Sequence, residues 1–333
     1  MRLPALLVLL FILLNLLSAQ TAEDYGFRYI PYEFEGDTIH VLIKSKKGEE
    51  QKKKPIFFSA QGSKASPLII HNGEQRVYYA TMEEGFVEDS FHLVIVNKPG
   101  IPLVAHKDSL VGREYFIDKK TYQYPKAYLK HNHLDYYVNR NLFVLKQLIQ
   151  EEWVDTSKLV VAGHSQGSSV GLYMCDKSSL ATHFIYSGGL PYYSTILAMV
   201  NKERMKEGNS PNPKIERIMG YWKEAVKDPL DDEDPHRDSN LTLSSFSQNE
   251  NEVLKRLPIP VLISYGTKDE SSPYHDMFRI ESIRERITHI TFNYYVGLGH
   301  NYQLTEPDEN VPNQQLDFLE EVMSDWLQWL QTH

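Results

Sequence analysis

The chain has 333 residues, 41% hydrophobic and 24% charged, an ordinary globular balance that suits one large α/β domain with an insertion or two small domains. Its net charge of −9, with no long basic stripe, argues against a nucleic-acid partner. One cysteine, Cys175, excludes an intramolecular disulfide.

The N-terminus reads as a leader rather than as part of a fold. Met1-Arg2 is followed by an apolar run from Leu6 to Leu17 broken only by Asn15, then by Ser18-Ala19-Gln20 and a polar stretch. That is the form of a secretory signal peptide over residues 1–20, cleaved after Ala19 or Gln20. The run is short for a bilayer span, so export without stable membrane association is expected, with a secreted or periplasmic location.

Residues 21–333 are expected to form a single domain. Gly26–Phe34 and Thr38–Ile43 read as paired strands around Gly36-Asp37, and the lysines of Lys44–Lys54 as a solvated hairpin turn. Pro55–Ala60 is an apolar strand ending at Gln61-Gly62-Ser63, and Phe91–Val96 is the next, ended by Lys98-Pro99-Gly100. A polar, tyrosine-rich loop follows to about residue 130. Leu134, Val138, Leu142, Leu145 and Ile149 recur three or four apart, which predicts a helix over 134–149. Lys158–Ala162 is a buried strand, Ser168–Met174 starts a helix that carries Cys175 into the core, and Thr182–Tyr186 is another strand. The polar stretch from about 191 to 256 breaks the rhythm and reads as a helical cap insertion. Alternation resumes with a strand at Ile259–Tyr265, a helix near Tyr274–Glu285, a strand at Ile290–Val296 and a closing helix with Leu316, Leu319, Met323, Trp326, Leu327 and Leu330 on one face. Such alternation predicts an α/β fold, a mainly parallel sheet with helices on both faces.

Gly163-His164-Ser165-Gln166-Gly167 is a G-x-S-x-G pentapeptide between that buried strand and its helix. A strand–turn–helix setting of this kind forms a nucleophile elbow. A serine hydroxyl needs a base within reach, and the base needs an orienting acid. In open α/β sheets such groups gather beyond the carboxyl ends of strands. Asp269 follows the strand ending at Tyr265, and His300 follows the one ending at Val296. Glu270 is the rival acid, but Asp269 lies nearer its strand end. An oxyanion needs two preorganised N–H donors. One is expected from Gln166, directly after the nucleophile, the other from the Gln61-Gly62-Ser63 loop, with Ser63 first and Gly62 next.

On these motifs the chain resembles the α/β-hydrolase fold superfamily from about residue 26 to 331. The resemblance implies Ser165 as nucleophile, His300 as base and then acid, and Asp269 as orienting acid. Trp153–Lys158 is similar to the same segment of dienelactone-hydrolase-like and prolyl-oligopeptidase-type catalytic domains. The oxyanion loop departs from the common His-Gly pattern, with Gln61 in the histidine's place.

His131-Asn132-His133-Leu134-Asp135 looks like part of a metallo-β-lactamase metal signature, but Tyr136 stands where that pattern continues with histidine, so no metal role is expected. Some of the 21 tyrosines, notably near 115–137 and 192–193, are pocket candidates, while most read as framework. Asn240-Leu241-Thr242 has the letters of a glycosylation sequon. The expected function is hydrolysis of a small carboxylic ester through an acyl-enzyme, with no cofactor. Thioester or peptide cleavage, acyl transfer and non-catalytic binding stay open as alternatives.

Overall fold

The structure is a computed structural model that describes residues 21–72, 76–78, 85–230, 234–307 and 314–333. The expected leader at 1–20 lies outside the described residues. Eleven strands are present among them: β1 (Phe27–Phe34), β2 (Asp37–Lys44), β3 (Lys54–Ala60), β4 (Ile69–His71), β5 (Arg76–Tyr78), β6 (His92–Val96), β7 (Val104–His106), β8 (Val154–His164), β9 (His183–Ser187), β10 (Val261–Gly266) and β11 (Ile290–Tyr295). Helices among the described residues are α1 (Lys126–His131), α2 (Leu134–Leu148), α3 (Gln166–Lys177), α4 (Ser194–Arg204), α5 (Pro213–Lys227), α6 (Asn240–Ser245), α7 (Asn251–Arg256), α8 (Ser272–Arg284) and α9 (Leu319–Thr332). None is long and apolar enough to cross a membrane.

An eight-stranded sheet in the order β1-β2-β6-β3-β8-β9-β10-β11 forms the frame. β1 is antiparallel to β2, and β2 to β6, while every later pairing in this sheet is parallel. The β1–β2 turn uses Glu35 and Gly36, both at positive φ (52° and 82°), the backbone shape that suits a two-residue hairpin.

The central strands are buried on both faces, which is why they read as unbroken apolar runs. Successive side chains of β3 still divide between two cores. Ile56 and Phe58 join α2 and α3 side chains such as Val138, Leu145 and Leu172. Phe57 points the other way, with Leu93, Val160 and the α9 residues Val322, Met323 and Trp326. Cys175 is buried in the first core, and burial pushes its thiol pKa up, away from reactivity.

Several expectations fail in instructive ways. The lysine-rich segment after β2 is not a hairpin turn, because β6 lies between β2 and β3. Lys54 is buried rather than solvated: its ammonium donates to Glu88 O at 2.9 Å and pairs with Glu49. The tyrosine-rich stretch is not all loop, since it contains β7 and α1. β7 joins β4 and β5 in a separate three-stranded sheet of three-residue strands. Asn240 is buried at the first position of α6 and donates its amide to Asp228 O at 3.1 Å, so its sequon offers no exposed acceptor.

Gly171 shows how closely α3 sits on the sheet. A Cβ there would lie 2.7 Å from Phe184 Cε2 and 3.2 Å from Val161 Cγ1. Gly171→Ala is therefore expected to cost about 1–3 kcal/mol by overpacking. Urea unfolding should show a lower midpoint with an unchanged slope. A wild-type midpoint would contradict this packing.

Candidate active site

β8 ends at His164 and α3 begins at Gln166, so the chain reverses direction at one residue. That residue, Ser165, has φ 56° and ψ −127°, a conformation rare for a side-chain-bearing residue. Three hydrogen bonds hold the turn. Ser165 N donates to Ser187 O at 2.9 Å, while Ser168 N (3.0 Å) and Ser168 Oγ (2.6 Å) donate to Ser165 O. The flanking glycines are required by space. A Cβ on Gly163 would fall 2.0 Å from Gly167 O, and one on Gly167 would fall 2.2 Å from Ala60 O.

Asp269 and His300 lie beyond the ends of β10 and β11, as expected. His300 Nδ1 donates to Asp269 Oδ2 at 2.8 Å, and Ser271 N donates to Asp269 Oδ1 at 2.9 Å. Glu270 stands beside them but makes no hydrogen bond to the ring among the described residues. Burial works to raise the Asp269 pKa, but the His300 hydrogen bond and charge outweigh it and hold the carboxyl below its ordinary value. Burial likewise works to lower the His300 pKa. The hydrogen bond and charge of Asp269 overcome it and hold the imidazole above its ordinary value.

Ser165, Asp269 and His300 line one cavity of about 810 Å³. The Ser165 hydroxyl makes no hydrogen bond to any described residue; such bonds commonly tighten only when substrate is in place. Gln61, Gly62, Ser63 and Gln166 line the same cavity. Gln166 is the first residue of α3, so its N–H has no partner within the helix. Among the described residues the N–H groups of Gly62 and Ser63 also have no acceptor. These are the groups the sequence points to as donors for an oxyanion beside Ser165. Ser194, Thr195, Ala198, Met199 and Lys202 of α4, with Asp238, add a wall of mixed polar and apolar character.

Asp269, Glu270 and His300 also place ligand atoms within 4.8 Å of one another. Two of the three are committed to each other and to Ser271, a poor starting point for a cation. The other histidines weighed for metal are engaged elsewhere: His131 Nε2 lies 2.6 Å from Asp37 Oδ2, and the His133 ring accepts from Tyr136 N at 3.4 Å. Tyr115 lines the cavity, whereas Tyr128, Tyr136 and Tyr137 are buried framework and Tyr193 is exposed.

A polar network behind the site was not foreseen. His164 packs on His300 with ring centroids 4.8 Å apart. Its Nδ1 lies 2.9 Å from Ser187 Oγ and its Nε2 3.2 Å from Asn301 Oδ1. Ser187 Oγ contacts Tyr302 Oη at 2.6 Å, Tyr302 Oη contacts Ser264 Oγ at 2.8 Å, and Trp326 Nε1 donates to Ser264 Oγ at 2.9 Å. Burial, then the nearby His300 charge, pushes the His164 pKa down to about 3, so this ring stays neutral beside its ionisable neighbour. Its only sequence signal was its place inside the pentapeptide.

No known family profile matches the sequence, and no curated protein is significantly similar to it. Solved structures do match. Est1E from Butyrivibrio proteoclasticus superposes with a TM-score of 0.51 at 16% identity, over 91% of this chain and 98% of its own. Acylaminoacyl peptidase from Pyrococcus horikoshii gives 0.52 at 12% identity, over 92% of this chain and 40% of its own. A putative dipeptidyl aminopeptidase IV from Bacteroides ovatus gives 0.56 at 12%, over 96% and 38%. With its sheet order and the turn at Ser165, the chain belongs to the α/β-hydrolase fold.

Proposed function

We propose that the chain is a serine hydrolase acting on a soluble carboxylic ester. The observation that carries this reading is the strained Ser165 opening into the same cavity as the His300–Asp269 pair. Ser165 Oγ attacks the ester carbonyl carbon and passes its proton to His300 Nε2. The carbonyl oxygen becomes an oxyanion that accepts from Gln166 N–H and from Ser63 or Gly62 N–H. As the tetrahedral species collapses, His300 gives the proton to the leaving alcohol and an acyl-Ser165 ester remains. Water then attacks that ester, His300 takes and returns its proton, and the acid is released. Asp269 holds the ring in the tautomer that leaves Nε2 free.

The ester reading is supported by the polar groups that Ser194, Thr195, Lys202 and Asp238 bring to a cavity of mixed lining, which suit a soluble substrate more than a lipid. It is also consistent with Est1E, an esterase by name whose structure has been seen with ferulic acid bound. In this reading α4–α7 form a cap over the site, and residues 1–20 direct export before removal.

Short-chain nitrophenyl esters should be turned over, and aminoacyl-nitroanilides should not. Turnover of the anilides with no ester hydrolysis would replace the ester reading by a peptidase one. Ser165→Ala should lose on the order of 10⁴–10⁶-fold in kcat with its thermal unfolding unchanged.

The pH profile carries a further check. Only unprotonated His300 can accept the Ser165 proton, so kcat/KM should fall as pH drops through the His300 pKa. That midpoint should lie above the ordinary histidine value of about 6.5, because Asp269 raises it. Asp269→Asn should shift the midpoint down and reduce kcat by about 10⁴-fold. An unmoved midpoint would remove Asp269 from its assigned place.

A further inference from the structure

Lys98, in the loop after β6, is only 2% exposed. Its ammonium faces the rings of Tyr128 and Tyr137, 5.5 and 5.0 Å from their centroids. Its one hydrogen bond among the described residues is a long one, 3.4 Å, to Gln166 Oε1. No described carboxylate is in ion-pair contact with it. Asp238 acts on it from further away and is itself held by Asn132 Nδ2 at 2.9 Å. Arg140, a second buried cation, sits 4.9 Å over the same Tyr137 ring and donates to Asn97 O at 2.8 Å. A buried ammonium without a paired carboxylate costs folding free energy, so Lys98 is poorly explained as a stabilising residue.

Its neighbours suggest what it does. Gln166 supplies the N–H directly after the nucleophile. Tyr128, under the Lys98 ammonium, donates its hydroxyl to Ser63 O at 3.1 Å. The two walls of the oxyanion site are therefore joined through one cation, from Gln166 to Lys98 to Tyr128 to Ser63. Gln61 of the same loop lines a small cavity with Lys98, and its Oε1 is buried without a partner. We propose that Lys98 is a positioning residue that braces both oxyanion walls and turns a positive field toward the charge that develops there. The inference rests on the serine hydrolase reading and deepens it.

Two consequences distinguish this role from packing. Burial pushes the Lys98 pKa down to about 7, with Asp238 opposing the shift and Arg140 adding to it. The groups facing the ammonium are Tyr128 of α1, Tyr137 and Arg140 of α2, Gln166 of α3 and Asp238 of the insertion. The buried tyrosines are pushed up by burial and stay neutral through this range. The Lys98 charge is therefore lost as pH rises through about 7, and the reaction at Ser165 should slow. The sign for stability is opposite. The folded chain holds Lys98 less readily protonated than the unfolded chain does, so the charged form costs stability in full below the folded pKa.

The test is the rate of labelling by a fluorophosphonate probe across pH 5.5–9, roughly the range around neutrality that the shift implicates, paired with Tm. Wild type should show a falling limb above neutrality. Lys98→Met should label about tenfold more slowly or worse below that limb, lack the limb, and unfold at no lower temperature at acid pH. Gln166→Ala should also be slower, and the double variant no slower than the slower single one. Lys98→Arg, which keeps its charge to high pH, should move the limb out of the range and serves if the methionine variant does not fold. An unchanged limb in Lys98→Met or Lys98→Arg, or a methionine variant within about twofold of wild type, would overturn the Lys98 role. Failure of the hydrolase reading would look different: no labelling of wild type, or labelling that persists in Ser165→Ala.

Discussion

Ser165 is held in a backbone conformation that the residue would not choose. A non-glycine residue at φ 56° is strained by about 1–3 kcal/mol, and the surrounding fold must overdetermine it. Parallel strands β8 and β9 do so by placing Ser187 O where Ser165 N can donate to it. Ser168 adds two hydrogen bonds from the first turn of α3. Gly163 and Gly167 let strand, helix and the end of β3 approach to distances that any side chain would forbid. The same approach brings Gln61–Ser63 against the turn. The geometry around the hydroxyl is thus a property of the sheet's centre, and a change that loosens α3 would be felt there.

Electrostatics in the site follow from burial opposed at chosen points. Asp269 is almost fully buried yet kept ionised by the groups that donate to it. His300 is poised by that carboxylate. His164, one ring away, is kept neutral by its burial and by the nearby His300 charge, which outweigh the Asn301 hydrogen bond. Two imidazoles in contact thus have their proton affinities driven apart, which leaves one free to exchange a proton while the other acts as a wall. Lys98 and Arg140 extend the pattern beside the Gln61–Ser63 loop, with Asp238 acting on Lys98 from the insertion.

The frame was legible because its signals are local and repetitive. Strands buried on both faces, such as β3 and β10, appear as apolar runs, and α2 and α9 show one apolar face each. The pentapeptide is legible for a related reason: the turn demands small residues at fixed offsets. Chain order then pointed to Asp269 and His300, and the structure joins them by a hydrogen bond. What stayed hidden involves polar residues whose burial leaves no period. Lys54 and Lys98 look like surface lysines until segments from distant parts of the chain close over them. Asn240 has the letters of a sequon, yet the α5–α6 connection takes up its amide. β4, β5 and β7 are three residues long, too short to show alternation, and their pairing depends on segments far apart in sequence.

The central claim is that Ser165 Oγ is the nucleophile. The most direct measurement is peptide mapping by mass spectrometry after reaction with a fluorophosphonate. The account predicts a single adduct on the peptide containing Ser165, formed faster as pH rises through the His300 pKa and absent when His300 is replaced by alanine. An adduct on another residue, or none on folded protein, would contradict it.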